Sequence, residues 1–533
     1  MGKIEEMVRG YGEKFIGLDA LFKSGPDQEY LMSSRQPLPA LGRYRKYTSF
    51  FGDITSVESV GLRRFDALKE YFIQLSDVLT ASKLPRDKLV VFGLTDEDKK
   101  GIRGLCTTID DVYRAEILES VTDHDTAAAG DLLKFEIAHK IPHLEEMIDG
   151  VHFAMTSEDV MSIVFGTIAN DIVYKHFIPE IINFSKKMMS YMASVEKTDS
   201  DRKPLVVPGL THVQAAEPTT GGKKFMNSIN AIDFLISRMM DENGFIPFSG
   251  KMGGALGNLT THYAAYPDID WQKFAKNYVE SFGLRYEGMT NQSVTYAIEA
   301  QHFSTMANML THVIKLTQDF INSASCPAQF YVKTKKKGSK ASSIMPGKAN
   351  AWKMEGAITM LEEAIVKMQF YATVLPKYPH EGNMARSYLM RNLADVFMPA
   401  FIALGRIQEE LPVYTPNPKK IDAFFSEYPG MAGSVLQTIL KREKVSDDAY
   451  RVMQGISINP DGTYANAEQF KTGLENVMHE LKLAEPLRQE LLGWTDPAKL
   501  AQYADVLDMA NRKKVNANFA NYESHLAKMK FQK

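Results

Sequence analysis

Apolar residues return at helical spacing along much of the chain. Between 159 and 195 they fall at Val160, Ile163, Val164, Ile168, Ile172, Phe177 and Ile181. That rhythm lays one face of a helix against a core. It also predicts a helix from about Thr55, and long ones over 223–241, 295–323, 351–375 and 383–410. Five long, mostly apolar helices make a bundle, and apolar residues on two faces of such helices predict contact with other subunits. No β-rich stretch, internal repeat or low-complexity tract interrupts the pattern, so the expected fold class is all-α. The expected division is a helical region 1–143 led by a peripheral 1–40, a central bundle 144–411, and shorter helices over 412–533.

Composition narrows the function. The 533 residues are 44% hydrophobic, enough for a large core, and the net charge is −3, which gives no bulk attraction to nucleic acid or membrane. Cys106 and Cys326 stand far apart without metal-ligand spacing, as suits a reducing compartment. With no run of about eighteen apolar residues and no signal-peptide core at MGKIEEMVRG, a cytoplasmic location is expected.

The stretch richest in chemistry is SKASSIMPGKANAWKME at 339–355. Ser342 and Ser343 are adjacent hydroxyls, Pro346-Gly347 sets a tight turn, and Lys348 and Asn350 precede a helical pattern from about Ala351. A helix N-terminus already favours an anion. Six lysines between 333 and 348 make this a cationic loop suited to covering an anionic substrate; the plainer alternative is a solvated surface loop.

Other short strings carry polar groups beside helix starts. In TDHD at 122–125, His124 stands between Asp123 and Asp125, which would raise its pKa if both carboxylates are close; a capping Asp beside an exposed His is the alternative. In HFAMTSED at 152–159, Thr156 or Ser157 reads as an N-cap with an anion site behind it. In THVQAAEPTT at 211–220, His212 follows a Pro208-Gly209 turn and precedes a helix, with Gln214, Thr219 and Thr220 nearby. Arg43 and Tyr44 form a fork of donors beside a hydroxyl, fit for a phosphate or simply for the surface. MGGALGN at 252–258 has no preceding strand, so it does not read as a dinucleotide loop.

These strings resemble the fumarase/aspartase superfamily. SSIMPGKAN at 342–350 is similar to its signature loop, and 122–125 with 156–159, then 211–218, are similar to its other two active-site regions. Within the superfamily the chain is most similar to the adenylosuccinate lyase family, bacterial type. GRY at 42–44, GALGNLTTHYAAYPDIDWQKF at 254–274, Thr290–Gln292 and SYLMRN at 387–392 add to this, and the resemblance covers about residues 40–410.

The resemblance implies an all-α homotetramer of three mostly helical domains with active sites shared between subunits. It implies β-elimination of fumarate from adenylosuccinate, and from the succinylated carboxamide ribotide of purine synthesis, without metal or organic cofactor. Carried over residue by residue, Ser342 is the general base, with Ser343 as the fallback. His212 is the general acid, partnered by Glu355, with His124 close by. Lys348 and Asn350 hold the succinyl carboxylates with Thr156 and Ser157. Arg43, Tyr44, Ser387 and Arg391 bind the nucleotide end, Gln292 contacts substrate, and Asp123 and Asp125 belong to the same site.

The chain also departs from the family. Gly382 stands where an arginine is expected, Arg386 where an acid is expected, and Val294-Thr295-Tyr296-Ala297 replaces Glu-Pro-His-Asp. His380 or Arg386 is a candidate to compensate for the arginine. The departures bear on the leaving group, so a fumarate-releasing lyase with a different amine or hydroxyl leaving group is the alternative. An inactive scaffold has no use for Ser342, His212, Lys348 and Glu355 together. A nucleic-acid binder using 333–340 would need aromatic residues among its lysines, and there are none.

Overall fold

The computed structural model describes residues 36, 38–198, 201–334 and 344–531. Ser342 and Ser343 therefore lie outside the described residues. The long apolar patterns become helices: α1 (Val57–Thr80), α2 (Ile109–Thr122), α3 (Asp125–Lys140), α4 (Ser157–Asn170), α5 (Ile178–Val195), α6 (Gly221–Ser237), α7 (Ala297–Ala324) and α8 (Trp352–Val374). After them come α9 (Ala385–Arg391) and α10 (Leu393–Glu410). The fold is all-α, and among the described residues the strands form only small two-stranded ribbons beside the helices.

Two expected helices differ in detail. The run 159–195 is continuous in direction, but Asp171–Phe177 between α4 and α5 is a wider π-type turn. Pro179 follows it at once; proline lacks the N–H that a regular helix needs there, and widening the preceding turn accommodates the loss. The pattern 383–410 is two helices, because Asn392 adopts a capping conformation and its side-chain amide donates to the Tyr388 carbonyl at 2.8 Å.

α7 packs along α8, α8 along α10, and α6 against both α7 and α5. Phe303, Met306, Leu310, Val313 and Phe320 of α7, Leu361, Ala364 and Met368 of α8, and Phe397, Ala400 and Leu404 of α10 are all buried in one core. Each large side chain so buried contributes about 1.5–3 kcal/mol, and α7 is 28 residues long, so tertiary burial rather than helix propensity fixes the bundle. On α8, Val366 and Phe370, one turn apart, are 67% and 50% exposed. That is the second apolar face the pattern anticipated.

A second, smaller core lies in the C-terminal part. Leu436 and Leu440, Met453, Phe470 and Leu474, and Leu491 come together there. They are carried by α11 (Gly433–Arg442), α12 (Ala449–Ser457), α13 (Ala467–Glu480) and α14 (Glu485–Gly493). The last helix, α15 (Pro497–Leu526), returns Val515, Phe519 and Tyr522 to the main core.

The stretch around His212 is the main surprise. It forms an antiparallel hairpin of β1 (Val206–Thr211) and β2 (Gln214–Thr220), with Thr211 opposite Gln214. Pro208-Gly209 is not a turn. It lies within β1 at a bulge, where the register shifts and a side chain at 209 would meet the Glu217 carbonyl at 2.4 Å. The turn is His212-Val213 itself, with φ of 51° and 63°. A two-residue hairpin needs positive φ at both central positions, usually supplied by Asn and Gly; His-Val carries no such signal.

Candidate active site

The start of α4 is the best-defined polar centre. Thr156 caps it: its backbone N–H donates to Asp159 Oδ2 at 2.9 Å in a capping box. Asp159 is wholly buried, and it also accepts the N–H groups of Gly253 (2.8 Å) and Gly254 (3.0 Å) and pairs with the buried Lys251 at 2.7 Å. The glycine-rich loop of 252–258 is thus a backbone clamp that fixes where α4 begins. Side chains at 253 and 257 would strike backbone within 3 Å, so glycine is needed for the close approach.

His124 meets this helix start. Its Nε2 lies 3.2 Å from Ser157 Oγ, while its Nδ1 accepts the Ala127 N–H at 3.3 Å and so caps α3. With Nδ1 an acceptor, a neutral ring carries its proton on Nε2 and offers it to Ser157. Asp123 ends α2 in the left-handed region at φ 53°, a conformation Asp tolerates better than most residues.

Asp125 draws in two arginines. Its Oδ2 accepts from Arg64 of α1 at 2.8 Å and from Arg391 of α9 at 2.9 Å. Burial pushes the carboxyl upward, but Arg64, the Thr126 N–H and Arg391 outweigh it and hold Asp125 below the ordinary carboxylate range. Ser387 lies one turn before Arg391 on the same helix. Gln292 approaches α9's leading loop, its N–H donating to the Glu381 carbonyl at 2.9 Å.

Gln292 also explains the glycine at 382. A Cβ there would fall 1.9 Å from Gln292 Oε1, so the glutamine side chain occupies the space an arginine stem would need. Arg386 does not stand in for that arginine. It is buried, it donates to the Leu375 carbonyl (3.1 Å), the Tyr378 carbonyl (3.2 Å) and Ser293 Oγ, and it lies over the rings of Tyr296 and Tyr378. Its donors are committed to the fold. His380 is exposed with φ 62°.

Three residues of this centre carried no assigned role in the sequence. Arg64 looks like any outward arginine in an amphipathic helix, and only the fold turns it toward Asp125. His152 has a buried Nε2 with no hydrogen-bond partner, and burial above all lowers its pKa, with Asp159 opposing and His124 assisting. Glu158 reads as a routine first-turn acid. It is half-buried, and that burial pushes its carboxyl to about 7 against the pull of Lys251, with Asp159 adding to the rise and Arg386 and Arg391 opposing it.

The remaining expected residues lie elsewhere. Tyr44 OH accepts from Arg406 Nη1 at 2.9 Å, and the Arg406 guanidinium also covers Trp352, the first residue of α8. Arg43 is exposed beside the Tyr44 ring. Lys348 is exposed at the end of a turn in which its N–H donates to the Met345 carbonyl at 3.1 Å, and the Asn350 carbonyl accepts from Lys333 Nζ at 3.0 Å. Glu355 sits exposed in the first turn of α8, and His212 is exposed at its hairpin tip. Among the described residues, no hydrogen bond or ion pair joins His212 to Glu355, Lys348 or His124.

The helices explain the separation. Arg391 lies just before the start of α10 and Arg406 near its end, roughly 20 Å apart at 1.5 Å per residue. Ser157 begins the α4–α5 run, and Met192, which borders Gly221 just after the hairpin, lies roughly 50 Å along it. One chain thus presents two groups. His124, Asp125, Thr156, Ser157, Gln292, Ser387 and Arg391 gather at one end of the bundle. His212, Lys348, Asn350 and Glu355, with Tyr44, lie toward the other.

The family described as Lyase matches residues 97–366, which is 270 of the 533 residues. The chain belongs to this lyase family. The match takes in α2–α7 and the Lys348 turn, and so residues of both polar groups, with Tyr44, Ser387 and Arg391 outside it. Among individual proteins, the chain is similar to the adenylosuccinate lyase of Dictyostelium discoideum, 24% identical over 84% of this chain and 94% of that one. It is 27% identical to the adenylosuccinate lyase of Buchnera aphidicola over 64% of this chain and 71% of that one. A solved fumarate lyase from Mesorhizobium sp. BNC1 shares the fold with a TM-score of 0.60 at 14% identity, covering 87% of this chain and 97% of that one. Among the described residues no helix is long and apolar enough to cross a membrane.

Proposed function

We propose that this lyase is an adenylosuccinate lyase: a carbon–nitrogen lyase that releases fumarate from adenylosuccinate to leave AMP, and acts likewise on the succinylated carboxamide ribotide. The observation that carries the reading is the division of the polar residues between the two ends of the bundle, in a chain similar along most of its length to named adenylosuccinate lyases. Elimination needs a base, an acid and a cationic cradle at one substrate. Thr156, Ser157 and Arg391, which hold the substrate in this reading, come beside His212 and Lys348 when the His124–Ser157 end of one chain meets the other end of a second chain. Exposed Val366 and Phe370 on the central α8 supply an apolar face for that assembly, and a homotetramer with shared sites satisfies it.

In this reading a base takes the proton beside the succinyl carboxylate. The electrons of that C–H bond form the double bond of fumarate as the C–N bond breaks, and the leaving nitrogen takes a proton from an acid. Ser342 serves as the base, with Ser343 as the fallback, and His212 as the acid, polarised by Glu355. Lys348, Asn350, Thr156 and Ser157 stabilise the carboxylate on which charge develops. His124 orients Ser157, while Arg391, Ser387, Arg43 and Tyr44 hold the nucleotide end and Gln292 fills the place of the absent arginine.

The test is purified protein with adenylosuccinate, followed by absorbance for AMP and fumarate. Turnover on the order of 1–1,000 per second is expected, with Ser342→Ala abolishing turnover while substrate still binds. Fumarate release from another succinyl compound, with none from adenylosuccinate, would instead assign a different leaving group.

A further inference from the structure

The hairpin that carries His212 is strained at its tip and braced from outside. Two consecutive non-glycine residues adopt positive φ, and the second, Val213, is β-branched and 86% exposed. A β-branched side chain rarely adopts this conformation, and it persists only where the surroundings over-determine it. No packing on Val213 does so. The constraint comes through the strand that follows.

Three contacts hold the hairpin along its length. At its base, Lys224 Nζ donates to the Pro208 carbonyl at 2.9 Å, beside the bulge. Midway, Ser434 Oγ donates to Glu217 Oε1 at 2.5 Å. Next to the tip, Tyr464 OH donates to Gln214 Oε1 at 2.9 Å. Gln214 is the residue opposite Thr211 that closes the two-residue turn, so fixing its side chain fixes the orientation of His212 one residue beyond Val213.

The two outer contacts come from the C-terminal helical region. Ser434 lies in the first turn of α11, and Tyr464 stands on the loop between α12 and α13. That loop is itself organised: Ile458 and Tyr464 form a bridge, Asn459 donates both its backbone N–H and its side-chain amide to Thr463, and the Tyr464 ring packs edge-on against Tyr428 at 5.0 Å. The region lies outside the part matched to the lyase family.

We propose that Tyr464, acting through Gln214, is a positioning residue for His212, and that the C-terminal helical region sets the working geometry of the acid. The inference rests on the reading of His212 given above. Tyr464 is 44% exposed, so removing its hydroxyl leaves the fold intact and changes how often His212 points correctly rather than whether substrate binds.

The experiment is a double-mutant cycle on the full-length protein with adenylosuccinate. Tyr464→Phe is expected to lower kcat about five- to tenfold with KM changed less than twofold, and Ser434→Ala to act in the same direction. In a His212→Gln background, Tyr464→Phe is expected to have no further effect, because there is no longer an acid to position. An equal loss in both backgrounds, or no loss of kcat in Tyr464→Phe, overturns the proposal while leaving His212 as the acid. Full activity in His212→Gln overturns the role of His212 and this inference together.

Discussion

Lys251 Nζ lies 2.7 Å from Asp159 Oδ1, and neither side chain has any exposed surface. The pair fixes the start of α4, because Asp159 also gathers the N–H groups of Thr156, Gly253 and Gly254. Lys251→Met leaves a buried carboxylate without its counter-ion. The expected cost is about 3–5 kcal/mol of stability, read as a lower urea midpoint with unchanged slope. Activity is expected to fall in parallel, because Thr156 and Ser157 sit on the structure the pair anchors. An unchanged midpoint would show that the three N–H groups suffice to hold the carboxylate.

Arg64 and Arg391 share Asp125, but they are not equivalent. The Arg64 side chain is 11% exposed and that of Arg391 is 48% exposed. An exposed ion pair contributes about 0–1 kcal/mol, so Arg391→Ala is expected to leave the melting temperature within a few degrees. If Arg391 holds the nucleotide end of the substrate, the same variant raises KM at least tenfold. Thermal melts beside steady-state kinetics separate the two effects, and an unchanged KM removes Arg391 from the binding site.

The bundle was legible because burial writes its period into the chain. α7 and α8 lie within two residues of the ranges that the spacing predicts. The hairpin was not legible: its strands are short, Pro208-Gly209 imitates a turn, and the real turn, His212-Val213, lacks the Asn or Gly that would announce it. The site was legible as motifs but not as geometry. His124 and Ser157 are 33 residues apart in sequence and meet in space, whereas Arg43 and Arg391, grouped by their proposed role, fall at different ends of the bundle. Arg64 and Glu158 went unassigned because a side chain on an amphipathic helix acquires a function only from what packs opposite it.

Glu158 makes a pH prediction. Burial and Asp159 raise its carboxyl from 4.5 to about 7, with Lys251, Arg386 and Arg391 opposing the rise, and its charge adds to the effect of burial in raising Tyr296. Between these two values the folded state binds more proton than the unfolded state. The contribution to stability is therefore fully present below about pH 4.5 and is lost as pH rises through 7. Glu158→Gln removes that slope, so the variant is expected to gain on the wild type between pH 5 and 8 by on the order of 3 kcal/mol. Urea titrations at the two pH values check this, and parallel curves would refute it. KM for a dianionic substrate is expected to rise above pH 7 in the wild type and less in the variant.

The strain at the hairpin tip gives the last prediction. A left-handed backbone costs an L-residue roughly 1–2 kcal/mol, and glycine or asparagine accepts it far more readily. Val213 is exposed and packs on nothing that its loss would disturb, so Val213→Asn is expected to raise stability by about 1 kcal/mol. Its effect on rate follows from the brace. With Tyr464 in place, Gln214 still fixes the turn and kcat is expected to change little. In a Tyr464→Phe background the relaxed turn holds its own shape, and Val213→Asn is expected to restore part of the lost kcat. Rescue would mean that turn geometry at His212, rather than a direct effect of the tyrosine on substrate, is what the C-terminal region controls. A stabilised variant that leaves the Tyr464→Phe defect untouched would mean that the tyrosine acts by another route.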